Sequence, residues 1–361
     1  YLFQADIRRR MTERARRDGL AAAVASNRAS ELLYRQAAHA LDPAAQRQAL
    51  AELGEMLPAL ENEETALSAR ARALRCMGFI ASFMPEHEIA LASYEKSVDA
   101  YTRLAAREPA LSMMCWGSIS DMLNRSALIE SERGRRAAAA TLYLAAIDAA
   151  ENAAPGRVTG GHNTPRSNLA RNWVDEGEHA MGLDLVASAL QEAINADLDQ
   201  CQAFCHNVYA HALLADGRPA EAVEHAQAAI DYFTLREDWT DLAFGECTRA
   251  LTLIDAARLS EAAESIARAE AAHAHAPLPA NAALLALRRA ELALARGQRV
   301  QAAALAGEAA RLANAYGGRV IAANAGAIAA AAEGRLLDPP DPAMEARYRH
   351  WPGTILERPP R

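Results

Sequence analysis

The chain has 361 residues, of which 51% are hydrophobic but only 5% aromatic, and 89 are alanine. Alanine is the best helix former and strands favour β-branched and aromatic residues, so this composition predicts an all-α protein and excludes a β-sandwich or barrel. A formal charge of −8 repels nucleic acid and anionic membranes. Five cysteines, few and odd in number, argue against a disulfide framework, and no apolar run has membrane-spanning length. We therefore expect a cytoplasmic protein.

Residues 1–65 are predicted to form N-terminal capping helices. Residues 12–60 have the pattern of one or two helices. Asp42 followed by Pro43 marks a helix start, because aspartate caps a first turn and proline suits the first helical position. The arginines between Arg8 and Arg17 form the main basic cluster, which we interpret as a solvated helix face or a tether to another domain rather than a nucleic-acid contact.

From residue 66 onwards, turn signals recur at a fixed interval. Gly177, Gly217, Ala257 and Gly297 follow one another at steps of 40 residues, and amphipathic stretches flank each of them. A constant period of about 20 to 50 residues is typical of a solenoid built from stacked units. We therefore predict a solenoid over residues 66–334, in which each unit is a hairpin of a helix A before the turn and a helix B after it.

Aligned on these turns, the hairpins resemble the tetratricopeptide repeat (TPR) family, which has small residues at positions 8, 20 and 27, where helices A and B approach most closely. Small residues occupy all eighteen positions in six hairpins: Gly78, Ala127, Ala170, Ala210, Ala250 and Ala290; Ala90, Ala139, Gly182, Ala222, Ala262 and Ala302; and Ser97, Ala146, Ala189, Ala229, Ala269 and Ala309. The resemblance implies a right-handed α-α superhelix, a TPR-like solenoid of about six hairpins plus capping helices.

The chain departs from the family pattern in three ways. Its period of 40 exceeds the usual length of about 34 and is similar to that of helical regulatory domains in some bacterial signalling proteins. Residues 153–165 hold two prolines and three glycines, so we predict a loop that hinges two half-solenoids. Prolines at positions 339, 340 and 342 block a last helix B, and residues 335–361 are predicted to be a C-terminal cap or tail.

In a superhelix of this kind, helix A lines the concave groove, mainly with positions 2, 5, 9 and 12. The candidate peptide-binding residues are Arg72, Arg75, Phe79, Asn124, Arg171, Phe204, Asn207, His211, Phe244 and Asn324. The asparagines recur at position 5, and their amides match the donors and acceptors of an extended peptide backbone. The arginines suit a carboxylate held by two parallel hydrogen bonds. The alternative interpretation is that the asparagines face water and the phenylalanines belong to the core.

Other clusters give no positive sign of chemistry. Cys201, Cys205, His206 and His211 match no zinc spacing, and we interpret the two thiols as core residues. The glycine-rich residues 156–162 lack the lysine and Ser/Thr of a phosphate-binding loop. Spacing assigns no nucleophile–histidine pair and no paired carboxylates. We therefore expect no enzymatic activity, cofactor or metal.

These patterns favour a non-enzymatic scaffold or adaptor that binds a protein segment or a peptide in its concave groove. The alternative is a sensory or regulatory input domain of a bacterial signalling protein or transcriptional regulator, which binds a peptide or a small molecule. A metal-binding protein or an enzyme is a minor alternative, and self-association through the apolar ends into a homodimer is another. No membrane partner is expected, and nucleic acid is not favoured. The sequence does not identify the partner.

Overall fold

The computed structural model describes residues 2–17, 20–37, 42–61 and 66–334. These ranges contain sixteen α-helices and no strand, which confirms the predicted all-α class. The predicted C-terminal cap or tail at residues 335–361 lies outside the described residues. The helices are α1 (Leu2–Arg17), α2 (Ala21–Ala37), α3 (Pro43–Glu61), α4 (Leu67–Ala81), α5 (His87–Arg107), α6 (Ser112–Glu132), α7 (Arg136–Ala153), α8 (Gly160–Asp175), α9 (His179–Asn195), α10 (Asp199–Ala215), α11 (Pro219–Leu235), α12 (Trp239–Asp255), α13 (Leu259–His275), α14 (Pro279–Ala295), α15 (Arg299–Tyr316) and α16 (Arg319–Ala332).

The N-terminal region differs from the prediction of one or two helices, because three helices precede α4. The described side chains that α1 buries are Ala5, Thr12 and Ala15, which are too small to give the sequence a clear hydrophobic period. The predicted start of α3 is confirmed. The Asp42 Oδ1 accepts a hydrogen bond from the Ala45 backbone N–H at 2.8 Å, so this aspartate caps the helix in front of Pro43.

The chain divides into two compact units. Unit 1 comprises Tyr1–Ser131 and Ala137–Pro165, and unit 2 comprises Glu132–Arg136 and Arg166–Arg361. The main cores of unit 1 lie between α2, α3 and α4 and between α4, α5 and α6. The largest core of unit 2 runs through α12 to α16. Each unit therefore buries apolar surface of its own.

The predicted register of the hairpins is confirmed. All eighteen small residues at positions 8, 20 and 27 are buried. Two glycines show how close the helices come: a Cβ atom on Gly78 would lie 2.6 Å from the Tyr94 ring, and one on Gly182 would lie 2.8 Å from the Ala170 carbonyl oxygen. Normal van der Waals contact between heavy atoms needs about 3.5–4.0 Å. A side chain at either position would therefore push helices A and B apart.

Most turns of unit 2 end their helices with a residue in the left-handed conformation; the turn after α13 does not, since Ala276 has a φ of −138°. The φ angle is 78° at Gly217 and 57° at Ala257. The residue after each turn closes the helix end, because the Arg218 N–H donates to the Leu213 carbonyl at 2.9 Å and the Arg258 N–H to the Leu253 carbonyl at 2.8 Å. The turn signals read from the sequence are therefore helix C-terminal caps.

The predicted loop at residues 153–165 is shorter in the structure. Helix α7 ends at Ala153 and α8 begins at Gly160, so only residues 154–159 connect them. Pro165 lies inside α8, where it has no N–H to donate to the Gly161 carbonyl. The Ser120 hydroxyl donates to that carbonyl instead, at 3.3 Å. The Gly161 carbonyl therefore keeps a hydrogen-bond partner although the proline cannot supply one. A hinge at this loop stays a prediction.

Candidate functional site

Three of the predicted groove residues come together in unit 2. Arg171, His211 and Phe244 lie on the A helices of three successive hairpins, α8, α10 and α12. The guanidinium carbon of Arg171 stands 5.1 Å from the centre of the Phe244 ring, a cation–π contact. The His211 Nε2–H donates to the Asp175 Oδ1 at 2.8 Å. We call this group, together with Asp175 and Arg136, the Asp175 cluster.

Asp175 is the electrostatic centre of the cluster. Arg136 Nη1 lies 3.0 Å from its Oδ2, so each carboxylate oxygen has a partner. One fifth of the Asp175 side chain is exposed. Burial disfavours the ionised form, but the hydrogen bond from His211 and the charges of His211, Arg171 and Arg136 outweigh it and hold the pKa of Asp175 well below its usual range. The carboxylate therefore stays ionised and fixes the orientation of His211.

Arg171 differs from the other cations of the cluster. Within the described part of the chain it donates no hydrogen bond, and its contact with Phe244 is a cation–π contact that occupies no hydrogen-bond acceptor. The N–H groups at the edge of the guanidinium are therefore free to donate to a bound carboxylate. The cluster thus combines a fixed ion pair, an available cation and an aromatic surface.

A related group occurs in unit 1, but there the arginine that contacts the aromatic ring is already paired with the aspartate. Arg75 Nη2 and Arg125 Nε lie 2.9 Å from the two oxygens of Asp121, and the Arg125 guanidinium carbon stands 4.6 Å from the centre of the Phe79 ring. The structure thus brings together Arg75 and Phe79, two predicted groove residues, through Asp121 and Arg125. The third predicted residue of this hairpin, Arg72, is partly buried.

The three predicted asparagines are less open than a groove ladder requires. Asn124 is 9% exposed, Asn207 is 4% exposed, and Asn324 is partly buried. The Oδ1 atom of Asn207 is buried without a hydrogen-bond partner. A peptide that hydrogen-bonded to these amides would need local opening of the helix surface. Peptide binding by the asparagines stays a prediction.

Phe204 is partly buried and packs against a core of unit 2. Its ring meets that of Phe233 edge to face, with 5.7 Å between the ring centres, and Phe233 is 1% exposed. Trp239 and Tyr232 pack against the same cluster of apolar residues. These contacts favour the core interpretation of Phe204 over a role in the groove.

The cysteines and histidines of α10 do not converge on one point. Cys201 and Cys205 are buried, and the Cys205 sulfur lies 3.2 Å from the Ser167 hydroxyl. His206 contacts His225 instead, with 2.8 Å between their Nδ1 atoms. Among the described residues, no three or more Cys, His, Asp or Glu side chains form a group suited to a metal ion.

None of the helices in the described ranges is both long enough and apolar enough to cross a membrane.

Sequence reasoning missed Arg136, Asp175 and Arg125. Asp175 and Arg136 stand at the ends of helices beside turns, where a charged residue is ordinarily solvated. Arg125 follows Asn124 in helix A, outside the positions assigned to the groove. The spacing of Asp175 four residues after Arg171 is the one available signal, since residues four apart share a helix face.

No protein-family model matches the chain, and no curated protein is significantly similar to it. Among solved structures, a Rap protein complexed with Competence and Sporulation Factor is similar over 92% of this chain and 93% of that protein, with a TM-score of 0.53 and 13% identity. The chain has a tetratricopeptide-type repeat fold. The other matches include BtubC from P. vanneervenii (TM-score 0.48, 19% identity, 63% of this chain and 91% of that chain) and a tetratricopeptide repeat protein from Parabacteroides merdae (TM-score 0.42, 15% identity, 77% and 98%). Sequence identities this low concern the fold alone.

In the register of the tetratricopeptide repeat, the Asp175 cluster has a simple description. Arg171 and His211 stand at position 9 of consecutive hairpins, and Phe244 stands at position 2 of the next one. These are helix A positions that the resemblance assigns to the groove.

Proposed function

We propose that this tetratricopeptide-type repeat protein is a non-enzymatic scaffold that binds a protein segment or a peptide at the Asp175 cluster. The observation that carries the proposal is the convergence of Arg171, His211 and Phe244, three side chains predicted from the repeat register to face the groove. They come from three separate hairpins. A ligand that contacts all three would therefore have to be extended across the A helices.

The chemistry of the cluster defines the segment that fits. The unpaired edge of Arg171 suits a carboxylate, either an acidic side chain or a peptide C-terminus. The Phe244 ring, which is partly buried, suits an apolar side chain next to that carboxylate. Asp175 is already paired with Arg136 and His211, so it does not repel the acidic group as a lone carboxylate would. The similar Rap protein was solved in complex with Competence and Sporulation Factor, which supports partner binding by a chain of this fold.

The test is selection of peptides from a random display library against the full chain, followed by affinity measurements on the selected peptides by fluorescence polarisation. We expect selected peptides to carry an acidic residue or to need a free C-terminus. Arg171→Gln should weaken their binding by about tenfold or more, since a hydrogen bond to a charged group contributes roughly 1.5–3 kcal/mol. Phe244→Leu should weaken binding less.

Arg289→Gln is the matched control, because Arg289 pairs with Glu270 in the same unit and belongs to no part of the cluster. It should leave the affinity unchanged. Equal losses in the Arg171 and Arg289 variants, or failure to select any peptide, would contradict the proposal. Asn207→Ala tests the asparagine ladder separately. A normal affinity in that variant would rule out peptide binding by Asn207 and leave the Asp175 cluster as the binding site.

A further inference from the structure

Unit 2 contains a cavity that shares no residue with the Asp175 cluster. It lies between α11, α12 and α13 and has a volume of about 430 Å³. Its lining includes Asp231, Glu246, Arg249 and Arg268, with Ile230 as its apolar component. This volume lies within the range of about 300–1,000 Å³ that is typical of small-molecule sites.

The Glu246 carboxylate already has its partners within the protein. Glu246 is 1% exposed. Its Oε1 accepts a hydrogen bond from Arg268 Nε at 2.6 Å, and its Oε2 accepts one from the Ser265 hydroxyl. A ligand is therefore not needed to neutralise Glu246 or Arg268.

Arg249, in contrast, has few hydrogen-bond partners within the protein. Its Nη1 donates to the Ser265 hydroxyl at 3.3 Å, whereas its Nε is buried and has no hydrogen-bond partner. No carboxylate in the described part of the chain forms an ion pair with it. A buried donor without a partner costs about 1–3 kcal/mol, and more for a charged group, so a ligand that accepts from it gains correspondingly.

Two other arginines of unit 2 show what the edge formed by Nε and Nη2 of a guanidinium binds. Arg218 holds both oxygens of Glu221 through its Nε and Nη2, at 2.8 and 2.7 Å. Arg258 holds both oxygens of Glu261 in the same way, at 2.7 and 2.6 Å. The corresponding Nε–Nη2 edge of Arg249 is complementary to a carboxylate by the same geometry.

Asp231 supplies the opposite charge in the cavity. It is exposed, and its Oδ1 accepts a hydrogen bond from Gln227 Nε2 at 2.7 Å. Within the described ranges it forms no ion pair. The cavity thus offers one cation and one anion that lack ionic partners, and their charges sum to zero. A neutral molecule with separated charges matches this arrangement better than a simple anion does.

We propose that this cavity binds a small zwitterion of the amino-acid class. The ligand carboxylate accepts from Nε and Nη2 of Arg249, and its ammonium group faces Asp231. Ile230 contacts the carbon chain between the two charged groups. This site is separate from the peptide site, so neither proposal depends on the other.

The test is isothermal titration of the full chain with L-alanine, β-alanine and 4-aminobutyrate, in which the distance between carboxylate and ammonium increases. Acetate and ethylamine carry one charge each and serve as single-charge probes. We expect at least one zwitterion to bind at least tenfold more tightly than acetate and ethylamine. Absence of zwitterion binding, or acetate binding of equal strength, would overturn the proposal.

Variants locate the site. Arg249→Gln and Asp231→Asn should each weaken zwitterion binding at least tenfold. Arg249→Lys keeps the charge but loses the paired Nε–Nη2 edge, so it should also bind the zwitterion weakly. This variant replaces Arg249→Gln in the test if the glutamine variant does not fold. Arg218→Gln is the control, because Arg218 already pairs with Glu221 of the same chain. This variant should bind the zwitterion with normal affinity. Full affinity in both Arg249 variants would contradict the assignment.

Discussion

Single residues determine whether the turns of unit 2 are relaxed or strained. Glycine adopts positive φ without penalty, whereas other L-residues pay about 1–2 kcal/mol. Gly177, Gly217 and Gly297 meet this demand, but Ala257 occupies the equivalent turn with a φ of 57°. Asp197 and Glu237 adopt the same conformation after helices α9 and α11. The chain therefore carries conformational strain at specific turns.

Ala257→Gly should stabilise the protein by about 1 kcal/mol, because it relieves the strain at an exposed position where the methyl group packs little. The measurement is the urea midpoint followed by circular dichroism. The neighbouring Ala256 has a φ of −79°, so Ala256→Gly is the matched control and should destabilise instead. If both variants changed the stability in the same direction, backbone conformation would not be what determines the effect.

Gly78→Ala should destabilise unit 1 by about 1–3 kcal/mol, although alanine is the better helix former, because its Cβ would meet the Tyr94 ring. Thermal unfolding measures the change. Gly117→Ala is the control within the same unit, since a Cβ there has no neighbour within 4 Å, and it should stabilise by up to about 1 kcal/mol. Combining Gly78→Ala with Tyr94→Leu should recover part of the loss. A stable Gly78→Ala variant would mean that the helices can separate at little cost.

At the scale of the helical hairpin, α10 and α11 contain a pair of histidines whose protonation is disfavoured in the folded protein. The Nδ1 atoms of His206 and His225 lie 2.8 Å apart, and the Tyr209 ring stands 4.4 Å from that of His225. Burial and the neighbouring His225 lower the pKa of His206 to about 4, and burial also lowers the pKa of His225. Both histidines are therefore neutral in the folded protein at neutral pH.

The contribution of this histidine pair to the stability of unit 2 should fall as the pH drops from about 6.5 towards 4. The unfolded histidines take up protons near pH 6.5, whereas the folded His206 does so only near pH 4, so the unfolded state binds more protons in this window. Melting temperatures across this pH range test the effect. Relative to the unaltered chain, the variant His206→Gln with His225→Gln should gain melting temperature as the pH falls, because it lacks the pair's unfavourable contribution, and His179→Gln, outside the pair, should not. An unchanged profile in the double variant would assign the acid sensitivity to other groups.

The hairpins were predictable because their signal is repeated. Small residues at positions 8, 20 and 27 must recur wherever two helices touch, so six copies reveal a register that one copy would hide. The three N-terminal helices lack this repetition, and α1 buries side chains as small as Ala5 and Ala15, so their number was not predictable. Pro165 looked like a loop residue because the Ser120 hydroxyl that donates to the Gly161 carbonyl in its place comes from a distant helix.

The candidate site was predictable only in part. Arg171, His211 and Phe244 stand at register positions, so the repeat pattern identified them. Asp175 and Arg136, which orient the cluster, are positioned by the reach of their side chains between helices rather than by a sequence period. The cavity beside Arg249 depends on which of its N–H groups lack a partner, and no sequence pattern reports that.

At the scale of the whole molecule, unit 2 has its own cores and should fold alone. A fragment of residues 160–361 should be helical by circular dichroism and melt cooperatively, because stacked repeats are stabilised by their nearest neighbours. A fragment of residues 199–361 should melt at a lower temperature, since it lacks the α8–α9 hairpin.

A fragment of residues 189–361 is the control for length. It begins within α9 and adds ten residues to the shorter fragment without completing a hairpin, so its melting temperature should not exceed that of residues 199–361. An unfolded 160–361 fragment would show instead that these helices require residues that precede them, among them Arg136, which pairs with Asp175.

The helices from α9 to α16 begin at residues 179, 199, 219, 239, 259, 279, 299 and 319, so each helix with its turn takes 20 residues. A gene segment of 120 base pairs therefore encodes one complete hairpin whatever its starting point within this region. Unequal recombination that gains or loses such a segment leaves every remaining helix in its A or B role. A gain or loss of 60 base pairs would exchange the two roles downstream, bringing groove side chains to the opposite side. The regular spacing thus lets the array change length by whole hairpins while the chemistry of each surviving hairpin is inherited intact.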